Sequence, residues 1–192
     1  MKTAHIFYAT PALESDMHEP APATAASPSQ WSRVVFVDRF ASIYEHSPWV
    51  AEQVFDAGLT TTDDTLAGLA AHMAAAVDAA SDEEQMRLIR AHPDLGARAG
   101  RTDHLSAASQ AEQADAGLAH CSASEYAELQ TLNRAYTDRF GFPFIIAVKG
   151  MTRQDILVAM RARLENDAAT ERARALTEIH RIAHARLAAL MS

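Results

Sequence analysis

From Trp31 onward, apolar residues recur at three- and four-residue spacing, the period of an amphipathic helix. Eight segments carry that period. VVFVDRFASIYEHS (34–47) reads as one helix, and PWVAEQVFDAGL (48–59) opens the next with Pro48 suited to a first turn. DDTLAGLAAHMAAAVDAA (63–80) is alanine-rich and bounded by threonines that can cap it. DEEQMRLIRA (82–91) follows Ser81, which stands three residues before Glu84. At that spacing a hydroxyl and a carboxylate each satisfy an orphan backbone N–H. SAASQAEQADAGLAH (106–120), SASEYAELQTLNRAYTDRF (122–140), TRQDILVAMRARLEN (152–166) and ERARALTEIHRIAHARLAALM (171–191) complete the set. Thr152 with Asp155 gives the seventh a clear start.

Two stretches break the period. HEPAPATAASPSQ (18–30) is rich in Pro, Ala and Ser, so residues 1–30 read as a flexible leader. GFPFIIAVKG (141–150) is bracketed by glycines and holds two aromatics and β-branched residues, a pattern compatible with a buried strand. No second strand is available to pair with it, so it reads as an extended, largely buried loop. Its backbone N–H and C=O groups must find partners, either a ligand or a neighbouring helix end. The expected fold is all-α: one helical domain over 31–192, with about eight or more helices and one extended buried loop at 141–150.

Composition narrows the function classes. A formal net charge of −8 over 192 residues leaves no basic track for nucleic acid. The single Cys121 allows neither an internal disulfide framework nor zinc-finger spacing. No apolar run approaches the ~20 residues of a membrane helix. The expectation is a cytoplasmic protein with no nucleic-acid or membrane partner. His180 and His184 stand four apart but lack an accompanying Glu and fall toward the polar side, so no metal site is expected; His72 reads as an ordinary packed or half-exposed histidine.

Three positions remain that could carry chemistry. His92 opens His92-Pro93-Asp94-Leu95-Gly96 at the end of the fourth helix. Proline disfavours helical geometry for the residue before it, so His92 is held extended at the helix exit, near the negative end of the dipole. That suits an acid–base group, and equally an ordinary C-terminal cap. Ser109, Glu112 and Gln113 share one helical face, either as a polar site or as a capping box with a surface glutamine; Ser106 is an equally good cap, which would leave Ser109 inside the helix. Arg186 falls on the apolar face set by Ile179, Ile182, Ala183 and Leu190. A guanidinium there must snorkel or find a partner, and its planar fork suits a carboxylate.

Taken together, YEHSPWVAE (44–52), HPDLG (92–96), SQAEQADAGL (109–118), LNRAYTDRFGFPFIIAVKG (132–150) and EIHRIAHARL (178–187) resemble the 2-oxo-4-hydroxy-4-carboxy-5-ureidoimidazoline (OHCU) decarboxylase family, in the family's order. The resemblance implies an all-helical homodimer in the urate-to-allantoin route, acting on a small ureidoimidazoline without pyridoxal, thiamine, metal or other cofactor. It implies His92 as the catalytic acid–base group with Glu112 as its carboxylate partner, favouring imidazolium and fixing the ring. Ser109 and Gln113 would bind the substrate's polar edges, and Pro93 would line the pocket. Phe144, Ile145, Ile146, Ala147 and Val148 would supply backbone contacts, and Arg186 would hold the substrate anion; the role of Lys149 stays open. The product would be a single enantiomer, (S)-allantoin, with CO2. Two alternatives stand beside it: a non-catalytic helical dimer binding a ureide-like ligand, and a metal-dependent hydrolase.

Overall fold

In the computed structural model, which describes residues 27–96, 106–118 and 121–192, the helical period becomes eight α-helices. They are α1 (Arg33–Phe40), α2 (Trp49–Ala57), α3 (Leu66–Asp78), α4 (Asp82–Arg90), α5 (Ala107–Asp115), α6 (Ala123–Phe140), α7 (Arg153–Arg163) and α8 (Ala168–Met191). No strand occurs among the described residues, so the all-α expectation holds. No helix among them is long and apolar enough to cross a membrane.

Local chemistry fixes most boundaries. Ser81 with Glu84 and Thr152 with Asp155 form the expected capping boxes of α4 and α7, and Ser122 with Glu125 makes another at α6. Ser106 caps α5, which leaves Ser109 inside the helix. Thr65 caps α3 after a short 3-10 turn at Thr61–Asp64, so that helix begins later than the alanine run suggested. Asp167 caps α8, which begins at Ala168, three residues upstream of the expected start. Gly141 ends α6 with φ of 75°, a left-handed conformation that glycine adopts without a side-chain penalty.

α8 is the central strut. It packs along α3 and α4, while α1 lies on α2, α2 on α3, and α6 on α7. Phe36, Phe40, Val54, Leu69, Met73, Leu88, Ile89, Tyr136, Met160 and Leu187 form the core, each contributing roughly 1.5–3 kcal/mol by leaving water. The buried stripe of α8 runs through Ala175, Ile179, Ala183 and Leu187 and takes in Glu171, Glu178 and Arg186. Leu190 and Ile182 are only half-buried, so the stripe is rotated slightly from the face read off the sequence.

Two expectations are corrected. The 34–47 segment is not one helix: α1 stops at Phe40, and residues 41–47 turn inward with His46 at φ 45°. The turn has a cause, since it buries Ile43, Tyr44, Glu45 and Ser47 rather than leaving them on a helix surface. The leader boundary at residue 30 also moves. Pro28 is buried in a 3-10 turn, and Ser29 donates from backbone N–H and hydroxyl to Asp64 at 2.8 and 2.9 Å. Residues 1–26 lie outside the described residues. The 141–150 segment is the extended loop expected, with Phe142, Phe144, Ile145, Ile146 and Val148 buried.

Candidate active site

The exit of α4 builds the first wall. His92 N–H reaches back to the Ile89 carbonyl at 3.3 Å, and the ring Nδ1 lies 2.9 Å from the Leu88 carbonyl. A carbonyl only accepts, so Nδ1 carries the hydrogen, and neutral His92 keeps Nε2 as its acceptor nitrogen. The ring therefore caps the helix through Nδ1–H and presents Nε2 as an acceptor. Burial pushes its pKa down to about 4; the Leu88 hydrogen bond and the charge of Glu45 oppose that shift, and the Arg186 charge adds to it. The imidazolium expected of His92 is thus replaced by a neutral ring, oriented by its own helix.

Gly96 closes the same turn in a left-handed conformation, φ 71°, and its N–H donates to Gln113 Oε1 at 2.9 Å. An added Cβ there would meet Leu129 Cδ2 at 2.3 Å. Asn133 on α6 ties the turn down through the Leu95 carbonyl, 2.9 Å away. With its oxygen engaged by Gly96, Gln113 has its NH2 to turn toward a ligand.

Arg186 supplies the second wall, and all five of its N–H groups are engaged. Nε and Nη2 fork onto Glu112 at 2.8 and 3.0 Å. Nη1 donates to Glu45 at 2.9 Å and to the Ile43 carbonyl at 3.3 Å, and Nη2 also reaches Ser109 Oγ at 3.0 Å. This arrangement explains a cation on an apolar face: burial alone would lower its pKa, but the two carboxylates outweigh that and raise it. Glu112 was expected on His92; in the structure both its oxygens face Arg186 instead, because the guanidinium offers it a two-point fork. The carboxylates differ in setting, since the Glu112 side chain is 31 % exposed and that of Glu45 is 0 %.

These residues share one cleft, lined by His92, Pro93, Ser109, Glu112, Gln113 and Arg186 together with Phe144, Ile145, Ile146 and Val148. Leu95 and Ile182 add to the lining. Ala147 does not belong to it; its N–H donates instead to Glu178 Oε2 at 3.1 Å. Sequence reasoning missed Glu45, hidden in a stretch that reads as helix. The signal for it was Arg186, whose buried charge demanded carboxylate partners.

The remaining histidines play other parts. His72 pairs with Asp63 at 2.9 Å, half-exposed as expected. His180 is no surface residue: Nδ1 lies 3.0 Å from the Tyr44 hydroxyl and Nε2 3.1 Å from Asp78, pinning the 41–47 turn to α8 and α3. Among the described residues, no three His, Cys, Asp or Glu side chains cluster as metal ligands.

The model of the OHCU decarboxylase family matches residues 29–188. The chain belongs to that family. Within the OHCU decarboxylase family, the enzyme of Haloferax volcanii is 48% identical over 153 residues, covering 80% of this chain and 87% of the relative. The uric acid degradation bifunctional protein PucL of Bacillus subtilis is 44% identical over 85% of this chain, which spans 32% of that longer protein. The crystal structure of an (S)-allantoin synthase superposes with a TM-score of 0.67 at 29% identity, over 85% of this chain and 52% of that one.

Proposed function

We propose that this chain is an OHCU decarboxylase of urate degradation, releasing CO2 and forming (S)-allantoin. The observation that carries the reading is the single cleft shared by a neutral, cap-oriented His92 and the buried guanidinium of Arg186.

Loss of CO2 leaves an electron pair that something must accept. The substrate's own ring C=N lies next to the carbon that loses the carboxylate: the C–C bond breaks, its pair forms a new C=C, and the former C=N electrons settle on nitrogen, which takes a proton. The neighbouring hydroxyl then becomes a carbonyl as its proton leaves, and a proton is added to the ureido-bearing carbon. One proton is consumed overall, and no cofactor is required. Neutral His92 suits the shuttle: Nε2 takes the hydroxyl proton and returns it to carbon from its own side of the cleft. Every Arg186 N–H is already engaged, so a substrate carboxylate must take over one edge. Glu112, the more exposed carboxylate, is the one that yields, and once released it can serve the proton transfer. Gln113 offers a donor, Ser109 an acceptor, and the backbone of Phe144, Ile145, Ile146 and Val148 the remaining contacts, with Pro93 against the substrate's face.

The same proposal carries the family's homodimer and cytoplasmic setting; sedimentation would then read twice the 20.8 kDa chain mass, and a monomer at micromolar concentration would contradict it. The enzymatic claim is tested by following the decay of freshly generated OHCU. The protein accelerates decay, and His92→Ala returns it to background. Equal rates with wild type and no protein would refute the reading.

A further inference from the structure

Glu45 is the most deeply buried polar group touching the site, and it stands behind the cleft rather than in its lining. Its side chain is fully enclosed, yet each oxygen is engaged. Oε1 accepts the Ser106 N–H at 3.3 Å, at the start of α5. Oε2 accepts both the Ser109 hydroxyl and Arg186 Nη1, each at 2.9 Å. Burial alone would raise its pKa; Ser106, Arg186 and Ser109 outweigh that and hold the carboxyl below its ordinary value. A buried charge costs several kcal/mol unless it is paired, and here one carboxylate serves three partners from two helices.

The consequence falls on Ser109. A hydroxyl has one hydrogen and two lone pairs. The hydrogen is committed to Glu45, and one lone pair takes Arg186 Nη2 at 3.0 Å. What remains is a single lone pair, so Ser109 can accept a hydrogen bond from a ligand but cannot donate one. One turn further along α5, Gln113 takes the Gly96 N–H on its oxygen, and its NH2 is the donor it can offer a ligand. The two side chains therefore present an acceptor and a donor side by side, complementary to the adjacent N–H and C=O of a ureido or cyclic amide group.

We infer that Glu45 is a positioning residue that fixes Ser109 as a hydrogen-bond acceptor, so that the site selects a ligand bearing N–H at that point. The inference rests on the decarboxylase reading and adds to it a residue that never touches substrate. Glu45 holds Arg186 by the same oxygen, so the cation and the acceptor are set by one group.

A double-mutant cycle on kcat/KM tests it, with Glu45→Gln, Ser109→Ala and the pair. An amide at 45 can donate to Ser109 and release its hydrogen toward the cleft. Glu45→Gln is expected to lower kcat/KM about tenfold or more, mainly through KM, as lost charged hydrogen bonds do. Ser109→Ala should cost a similar factor, and the double variant should be no more than about twofold worse than the weaker single one. Where Glu45→Gln does not fold, Glu45→Asp, which keeps the charge beside Arg186, takes its place in the cycle. Losses that multiply, or a folded Glu45 variant within twofold of wild type, overturn the assignment. So does failure of both Glu45 variants to give a cooperative melt, which would make Glu45 a folding residue alone. Wild-type protein inactive on OHCU overturns the decarboxylase reading itself, whereas an active wild type without coupling removes only the role of Glu45.

Discussion

At the residue scale, His92 shows how one interaction serves structure and chemistry together. The hydrogen bond that caps α4 also settles which ring nitrogen is protonated, and burial keeps the ring neutral. A group whose pKa falls from its ordinary value near ~6.5 to about 4 is deprotonated throughout the neutral range. The acid limb of kcat/KM should therefore lie well below pH 6, with activity flat from there to neutrality and falling as protons reach the ring near pH 4. A limb centred near the ordinary histidine value would contradict the neutral-base role. His92 and Arg186 are legible in the sequence because each breaks a local rule: an imidazole forced extended by Pro93, and a charge on an apolar stripe. Glu45 is not legible, because period alone cannot show that the chain turns inward after Phe40.

At the element scale, the 141–150 loop has no strand to pair with among the described residues, and α7 and α8 hold it from behind. Arg163 Nη1 donates to the Ile145 carbonyl at 2.7 Å, and its guanidinium lies 4.5 Å from the centre of the Phe144 ring. Arg163 is itself held by Glu171, which also accepts from Tyr136 and, at 2.7 Å, from Asn166 Nδ2. Glu178 takes the Ala147 N–H. Position 145 thus spends its carbonyl, and position 147 its N–H, on this side of the loop, while Phe144, Ile145, Ile146 and Val148 line the cleft. Removing one member of a buried ion pair leaves its partner uncompensated, so Glu171→Ala should lower the unfolding free energy by ~3–5 kcal/mol in urea. A loss under about 1 kcal/mol would show that the pair does not brace the loop. Composition made the loop legible, but not its bracing: Glu171 and Glu178 are polar letters in a helix, and only packing shows that they face inward.

At the scale of the whole molecule, the cleft is assembled from the α4 exit, α5, the 141–150 loop and the C-terminal half of α8, with the 41–47 turn behind it. No single stretch of chain contains it. The helices and their caps follow from short-range patterns, so most of the architecture could be read from the sequence. The pairing of Arg186 with Glu112 and Glu45 could not, because it joins positions 74 and 141 residues apart. In the proposed reaction His92 returns the proton from its own side of the cleft, to one face of the substrate. Stereochemistry therefore probes the assembled cleft more directly than rate does. The decisive measurement is circular dichroism of allantoin collected from freshly generated OHCU, with wild type, with His92→Ala and with no protein. Wild type alone should give an excess of the (S) enantiomer and the other two racemic product; racemic product with active, folded wild type would overturn proton delivery from the His92 side.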